Sequence, residues 1–154
     1  MLVDIVSDIE FGSIMQKNIQ DILIYLFEKE QNFGILCKID QVYFDPELPS
    51  EINSEFRAMT LFFLAGYTFE SAQINDDNLV FEAGFGSENI GSFVTVPLLS
   101  IMQIIIDETP VFINLSQIKE IPAKSSVEDK SEGIKNSMSA LLSNPENQKF
   151  MKKK

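Results

Sequence analysis

Apolar residues at Ile14, Ile19, Ile22, Leu23, Leu26 and Phe27 recur at three- and four-residue spacing, with Lys17, Gln20, Asp21, Glu28 and Lys29 between them. That spacing winds a single apolar stripe along a helix, and Ser13 stands where a side-chain oxygen can cap its first turn. Asn32-Phe33-Gly34 reads as a turn. Beyond it, Ile35 to Phe44 is rich in β-branched and aromatic residues and partly alternates, so a strand is predicted that Asp45-Pro46 ends. Pro49 to Phe56 reads as a loop or a single turn.

Met59 to Phe69 is apolar on all sides, which suits a buried helix or a buried strand equally. Asn75-Asp76-Asp77-Asn78 supplies turn residues, and after it Leu79, Phe81, Ala83 and Phe85 alternate with Glu82 and Gly84, so a hairpin across that turn is expected. Alternation puts Phe81, Ala83 and Phe85 in one environment and Glu82 and Gly84 in the other. Phe93 to Val96 is a short β run stopped by Pro97. Pro97 can open a helix through about Asp107, because its missing N–H is not needed in a first turn. Val111 to Leu115 reads as the last strand.

Charge divides the chain. Residues 1–118 carry four cations and eighteen acids, a net of −14, whereas residues 119–154 carry eight Lys and five acids, a net of +3. The second stretch has almost no aromatic residue before Phe150 and too little apolar surface to offset ordering entropy, so a globular domain over 1–117 followed by a mobile basic tail over 118–154 is expected. Within the tail, Ile134, Met138, Leu141 and Leu142 fall close to helical spacing and could form a short transient helix.

Composition removes several kinds of chemistry. With no His and one Cys in 154 residues, the commonest general base near neutral pH and the commonest metal ligand are missing, and no thiolate cage can be built. No metal or cofactor is expected. Cys37 in a β-rich stretch is expected to be a buried, inert thiol. Asp76-Asp77 and Asp107-Glu108 read as a solvated turn and a helix end, and Gly84-Phe85-Gly86 lacks the third Gly and flanking elements of a dinucleotide loop. A net charge of −11 disfavours nucleic acid, whose affinity comes from clustered cations. The longest uncharged apolar run, residues 91–106, is too short for a membrane span, and the lone Cys and the absence of a basic leader favour a cytoplasmic protein.

The order of elements and several colinear motifs over about residues 17–115 resemble the stringent starvation protein B family. The family's Phe-x-Ala-x-Phe-Gly strand is matched by Phe81-Glu82-Ala83-Gly84-Phe85-Gly86, and its Val-x-Val-Pro followed by apolar residues by Val94-Thr95-Val96-Pro97-Leu98-Leu99. Asp107-Glu108-Thr109-Pro110-Val111-Phe112 resembles the Asp-Pro-x-Val-Phe entry to the last strand of a divergent branch. Gly84 stands where another branch has Arg, and the basic residues near that branch's N-terminus are missing.

The resemblance implies an α+β fold in which an N-terminal helix precedes an antiparallel, Sm-like, partly open β-barrel or meander with a short helix. It implies a non-enzymatic, homodimeric adaptor that binds peptide tags on protein substrates and tethers them to the AAA+ unfoldase of a Clp-type protease. Carried onto this chain, Phe81, Ala83, Phe85, Gly86, Val94 and Val96 would border the peptide groove. Ile19, Ile22, Leu23 and Leu26 would pair the subunits, and Phe150, Met151, Lys152, Lys153 and Lys154 would dock on the unfoldase. Tethering converts two weak contacts into one delivery event by raising effective concentration. The alternative is a hot-dog-like dimer with one continuous helix over 59–73, binding an acyl chain or acyl-coenzyme A; without His it would be a poor thioesterase.

Overall fold

The computed structural model describes residues 1–118, so the expected docking segment Phe150 to Lys154 lies outside the described residues. A short helix α1 (Leu2–Val6) precedes α2 (Ile9–Glu28). Asp8, not Ser13, caps α2: its carboxylate accepts from the Phe11 N–H at 3.2 Å, and Ser13 lies inside the helix. At the other end the Glu30 N–H donates to the Phe27 carbonyl at 3.1 Å and the Gln31 N–H to the Leu26 carbonyl at 2.9 Å, with Glu30 at φ 56°. This is the left-handed helix ending that glycine usually supplies. The chain continues through β1 (Phe33–Lys38), β2 (Tyr43–Asp45), α3 (Ser50–Asn53), β3 (Met59–Leu64), α4 (Gly66–Ser71), β4 (Gln73–Asn75), β5 (Asn78–Phe85), β6 (Ile90–Pro97), β7 (Ile101–Ile106) and β8 (Thr109–Ile113).

The architecture is α+β, with two antiparallel four-stranded sheets and no closed barrel. The first sheet runs β3-β1-β7-β8 and the second β2-β6-β5-β4. Four connections carry the chain between them, β1 to β2, β2 to β3, β3 to β4 and β6 to β7. The predicted strand over Ile35 to Phe44 is broken by a 3-10 turn at Ile39–Gln41, so its two halves join different sheets. The ambiguous apolar segment divides as well: β3 ends at Leu64 and α4 starts at Gly66, whose φ of 59° suits a residue without Cβ. The continuous helix required by the hot-dog alternative is therefore not formed.

The expected hairpin is present, with Asn75 opposite Asn78 and Asp76 at φ 57°, but its first arm is the three-residue β4. After Pro97 the predicted helix is corrected to one 3-10 turn, Leu98–Ser100, and then to strand β7. Three consecutive Ile residues at 104–106 stiffen χ1 and favour a pleated surface, and β7 is paired on both sides, by β1 and β8. Asp107 and Glu108, expected at a helix end, instead form the two-residue turn of the β7–β8 hairpin, at φ 51° and 68°.

Between the sheets lies the core. Phe33, Ile35, Leu64 and Ile104 of the first sheet meet Leu79, Phe81, Val94 and Val96 of the second, and Ile19, Leu23 and Leu26 of α2 belong to the same cluster. Each fully buried aliphatic or aromatic side chain contributes roughly 1.5–3 kcal/mol relative to exposure. Phe27, Phe33 and Phe69 pack edge to face, with ring centroids 5.4–6.2 Å apart, where α2, β1 and α4 converge.

Candidate peptide-binding site

Strand alternation decides which of the expected groove residues can touch a partner. Phe81, Val94 and Val96 point inward and are buried, so they hold the two sheets together and cannot line a groove. Ala83 is half-buried against the core, as is Phe85. On the opposite face of β6 stand Phe93, which is exposed, and half-buried Thr95. The expected subunit seam is corrected in the same way: Ile19, Leu23 and Leu26 are buried and Ile22 is half-buried, all packed into the protein's own core, while Ile9, Ile14, Ile24 and Tyr25 are the large apolar residues that α2 exposes.

Phe85 and Gly86 lie at the end of β5, where a cluster of aromatic rings opens to solvent. Phe44 of β2 stacks on Phe56 with centroids 5.5 Å apart and planes at 4°, and Phe85 meets both edge-on at 5.5 and 6.1 Å. Phe62 of β3 reaches Phe44, Phe56 and Phe85 at 6.3–6.4 Å. Offset and edge-to-face pairs of this kind contribute about 0.5–1.5 kcal/mol beyond their burial. Gly86 begins the β5–β6 turn, and its φ of 76° places it where a Cβ would be strained.

Beside the stacked rings is a cleft of about 410 Å3 with Val42, Phe44, Leu48 and Phe56 as its apolar wall and Tyr43 and Glu47 among its exposed lining residues. The size lies in the range of small ligand sites and suits one or two apolar side chains. β2 is the edge of its sheet, pairing only with β6. It is pinned there by Ser92, whose buried hydroxyl donates to the Pro46 carbonyl at 2.9 Å. A second cleft, of about 550 Å3, has Phe27 and Phe69 as aromatic lining and Glu30 and Glu70 as carboxylates. No protein-family model matches the chain, and neither curated proteins nor solved structures give a match.

Cys37 is buried, and burial pushes its thiol well above the ordinary cysteine range, so it holds its proton at neutral pH. Tyr67 donates to Glu82 at 2.5 Å; this bond and the Glu82 charge raise the phenol above its ordinary pKa, the direction opposite to an activated nucleophile. Among the described residues no three His, Cys, Asp or Glu side chains converge as a metal site. No described helix is long and apolar enough to cross a membrane.

The sequence pattern missed Tyr43, Phe44, Leu48 and Phe56. The pattern puts Phe44 at the end of one long strand and Phe56 in a loop or single turn. Their signal was the aromatic residues on both sides of Asp45-Pro46, a break that lets the chain fold back so that the two rings meet.

Proposed function

We propose that the protein is a non-enzymatic, cytoplasmic adaptor that binds extended protein segments through the Phe44–Phe56 cleft and tethers them to a Clp-type protease through residues 150–154. The stacked Phe44 and Phe56 beside an edge strand carry this reading: an apolar anchor from a peptide can enter the cleft while its backbone runs along β2. Phe85 and Gly86, the two motif residues next to these rings, connect the cleft to the family resemblance. The acidic body favours peptides carrying a cation near the apolar anchor.

Crosslinking of a fluorescent peptide library to the full chain tests the first half. Capture of apolar-basic peptides that falls at least tenfold on Phe56→Ser, with the far-UV spectrum unchanged, is the expected result; capture indifferent to Phe56 removes the site. The second half is tested with a purified Clp-family unfoldase and the protein with and without residues 150–154. Equal recovery of the unfoldase would remove tethering while leaving peptide binding intact.

A further inference from the structure

The four strands of the first sheet contain one charged residue, Lys38, although residues 1–118 carry eighteen acids. Register shows what their outer face presents. Gly34 lies opposite Phe63 on one side and Ile105 on the other, and Leu36 lies between Leu61 and Gln103. Gln103 faces Ile113, and Ile105 meets a bulge at Pro110 and Val111 on β8. Leu61 and Phe63 are 56% and 65% exposed, and Ile113 is 54% exposed. Their side chains lean over Gly34, where an added Cβ would meet Leu61 Cδ1 at 3.1 Å and Phe63 Cδ1 at 3.8 Å. Antiparallel sheets with one solvated face normally alternate apolar and polar residues. Met59-Thr60-Leu61-Phe62-Phe63-Leu64 reads instead as a strand covered on both sides.

The ends of this face carry opposite charges. Lys38, level with Met59, lies at one end of the strands, and the Asp107-Glu108 turn lies at the other, roughly 20 Å away at ~3.3 Å per residue. We infer that the outer face of the first sheet is the contact between two copies of this chain, packed face to face about a two-fold axis that runs across the strands. That axis makes the stacked strands antiparallel, so Lys38 of each copy lies over the Asp107-Glu108 turn of the other. The same operation buries Leu61, Phe63, Ile105 and Ile113 against their equivalents at the ~10 Å spacing of stacked sheets. Elsewhere two bodies of this acidity repel; this face lets them approach. Four strands at ~4.8 Å and six residues at ~3.3 Å give a flat footprint of about 380 Å2. It supplies the apolar centre of a standard interface of ~800 Å2 per partner. The inference is independent of the peptide-binding reading, since the Phe44–Phe56 cleft belongs to the other sheet's edge.

Sedimentation equilibrium of the full chain tests it. At about 100 μM, a hundredfold above a micromolar dissociation constant, wild type is expected at twice its 17.4 kDa monomer mass. Phe63→Glu is expected at monomer mass with an unchanged far-UV spectrum. Lys38→Glu, which replaces two attractions by two repulsions, weakens the dimer about tenfold or more at low salt, and adding Glu108→Lys restores it. A monomeric wild type overturns the inference. So does a dimer indifferent to both Phe63→Glu and Lys38→Glu, or one dissolved only by Tyr25→Glu on the exposed side of α2.

Discussion

The Tyr67 hydroxyl donates to the Glu82 carboxylate at 2.5 Å, joining α4 to β5 across fifteen residues of chain. Glu82 is also held through its backbone, whose N–H donates to the Ser71 hydroxyl at 2.9 Å. Hydrogen bonding to Glu82, then its negative charge, and least of all burial hold the Tyr67 proton above the ordinary range. A raised folded pKa gives stability that is fully present below the unfolded value, near 10, and lost as pH rises through the folded value. Absorbance titration is therefore expected to show the Tyr67 phenol ionising above the ordinary phenol range, and Glu82→Gln should bring it back toward that range. Unfolding midpoints of wild type and Tyr67→Phe should differ at pH 7 and converge above pH ~10.

Phe81 spans the space between the sheets. It is 1% exposed and its ring meets Phe62 of the first sheet at 5.7 Å, edge to face. Phe81→Ala leaves a cavity that neither sheet can close alone, and a loss of about 3–5 kcal/mol in urea unfolding is expected. The same variant separates core from groove: at urea concentrations where it stays folded, peptide capture at the Phe44–Phe56 cleft should match wild type.

Gly86 combines two constraints. At φ 76° an L side chain is disfavoured, and a Cβ there would stand 2.8 Å from Ile52 Cδ1. The left-handed conformation costs about 1–2 kcal/mol, and Ile52 must shift as well. Gly86→Ala should therefore lower stability by about 2 kcal/mol, read from denaturant midpoints.

Two kinds of signal in the sequence translated into structure. Helical spacing located α2, and alternation from Leu79 to Phe85 grouped the residues that share one face of β5, which the fold turns inward. Local turn chemistry also worked at Asn75 to Asn78, where short polar side chains tolerate the positive φ of Asp76. What failed depended on partners. In Ile101 to Ile106 the three consecutive Ile residues lean only weakly toward a strand, and the choice between a buried helix and a central strand is decided by β1 and β8 lying alongside. The same holds for the α2 stripe: spacing shows that Ile19, Leu23 and Leu26 are covered, but only the fold shows that the chain's own core covers them. The Asp107-Glu108 hairpin turn escaped notice because it lacks the Asn-Gly or Asp-Gly pair that normally marks two positive φ values.

Asn114 is one of four buried polar residues among those described. The pattern predicts a last strand running to Leu115, yet β8 ends at Ile113 and the Asn114 side chain turns inward, 2% exposed. Its amide donates to the Leu99 carbonyl at 3.2 Å and the Ile101 carbonyl at 3.0 Å, while its oxygen accepts from the Ser116 N–H at 2.9 Å. The two bonds from the amide fix the segment after β8 to the end of the 3-10 turn and the start of β7, and the third closes a turn within the segment. Asn114→Leu keeps the branching and heavy-atom count of the side chain, though it is bulkier, and leaves two buried carbonyls and one N–H without this partner. Each orphaned group costs about 1–3 kcal/mol, so a loss of about 3 kcal/mol or more in urea unfolding is expected. Native-state hydrogen exchange should locate it: the Ser116 amide should lose its protection before the amides of β5 do. A fully protected Ser116 amide in Asn114→Leu would show that the segment is held by something other than this side chain.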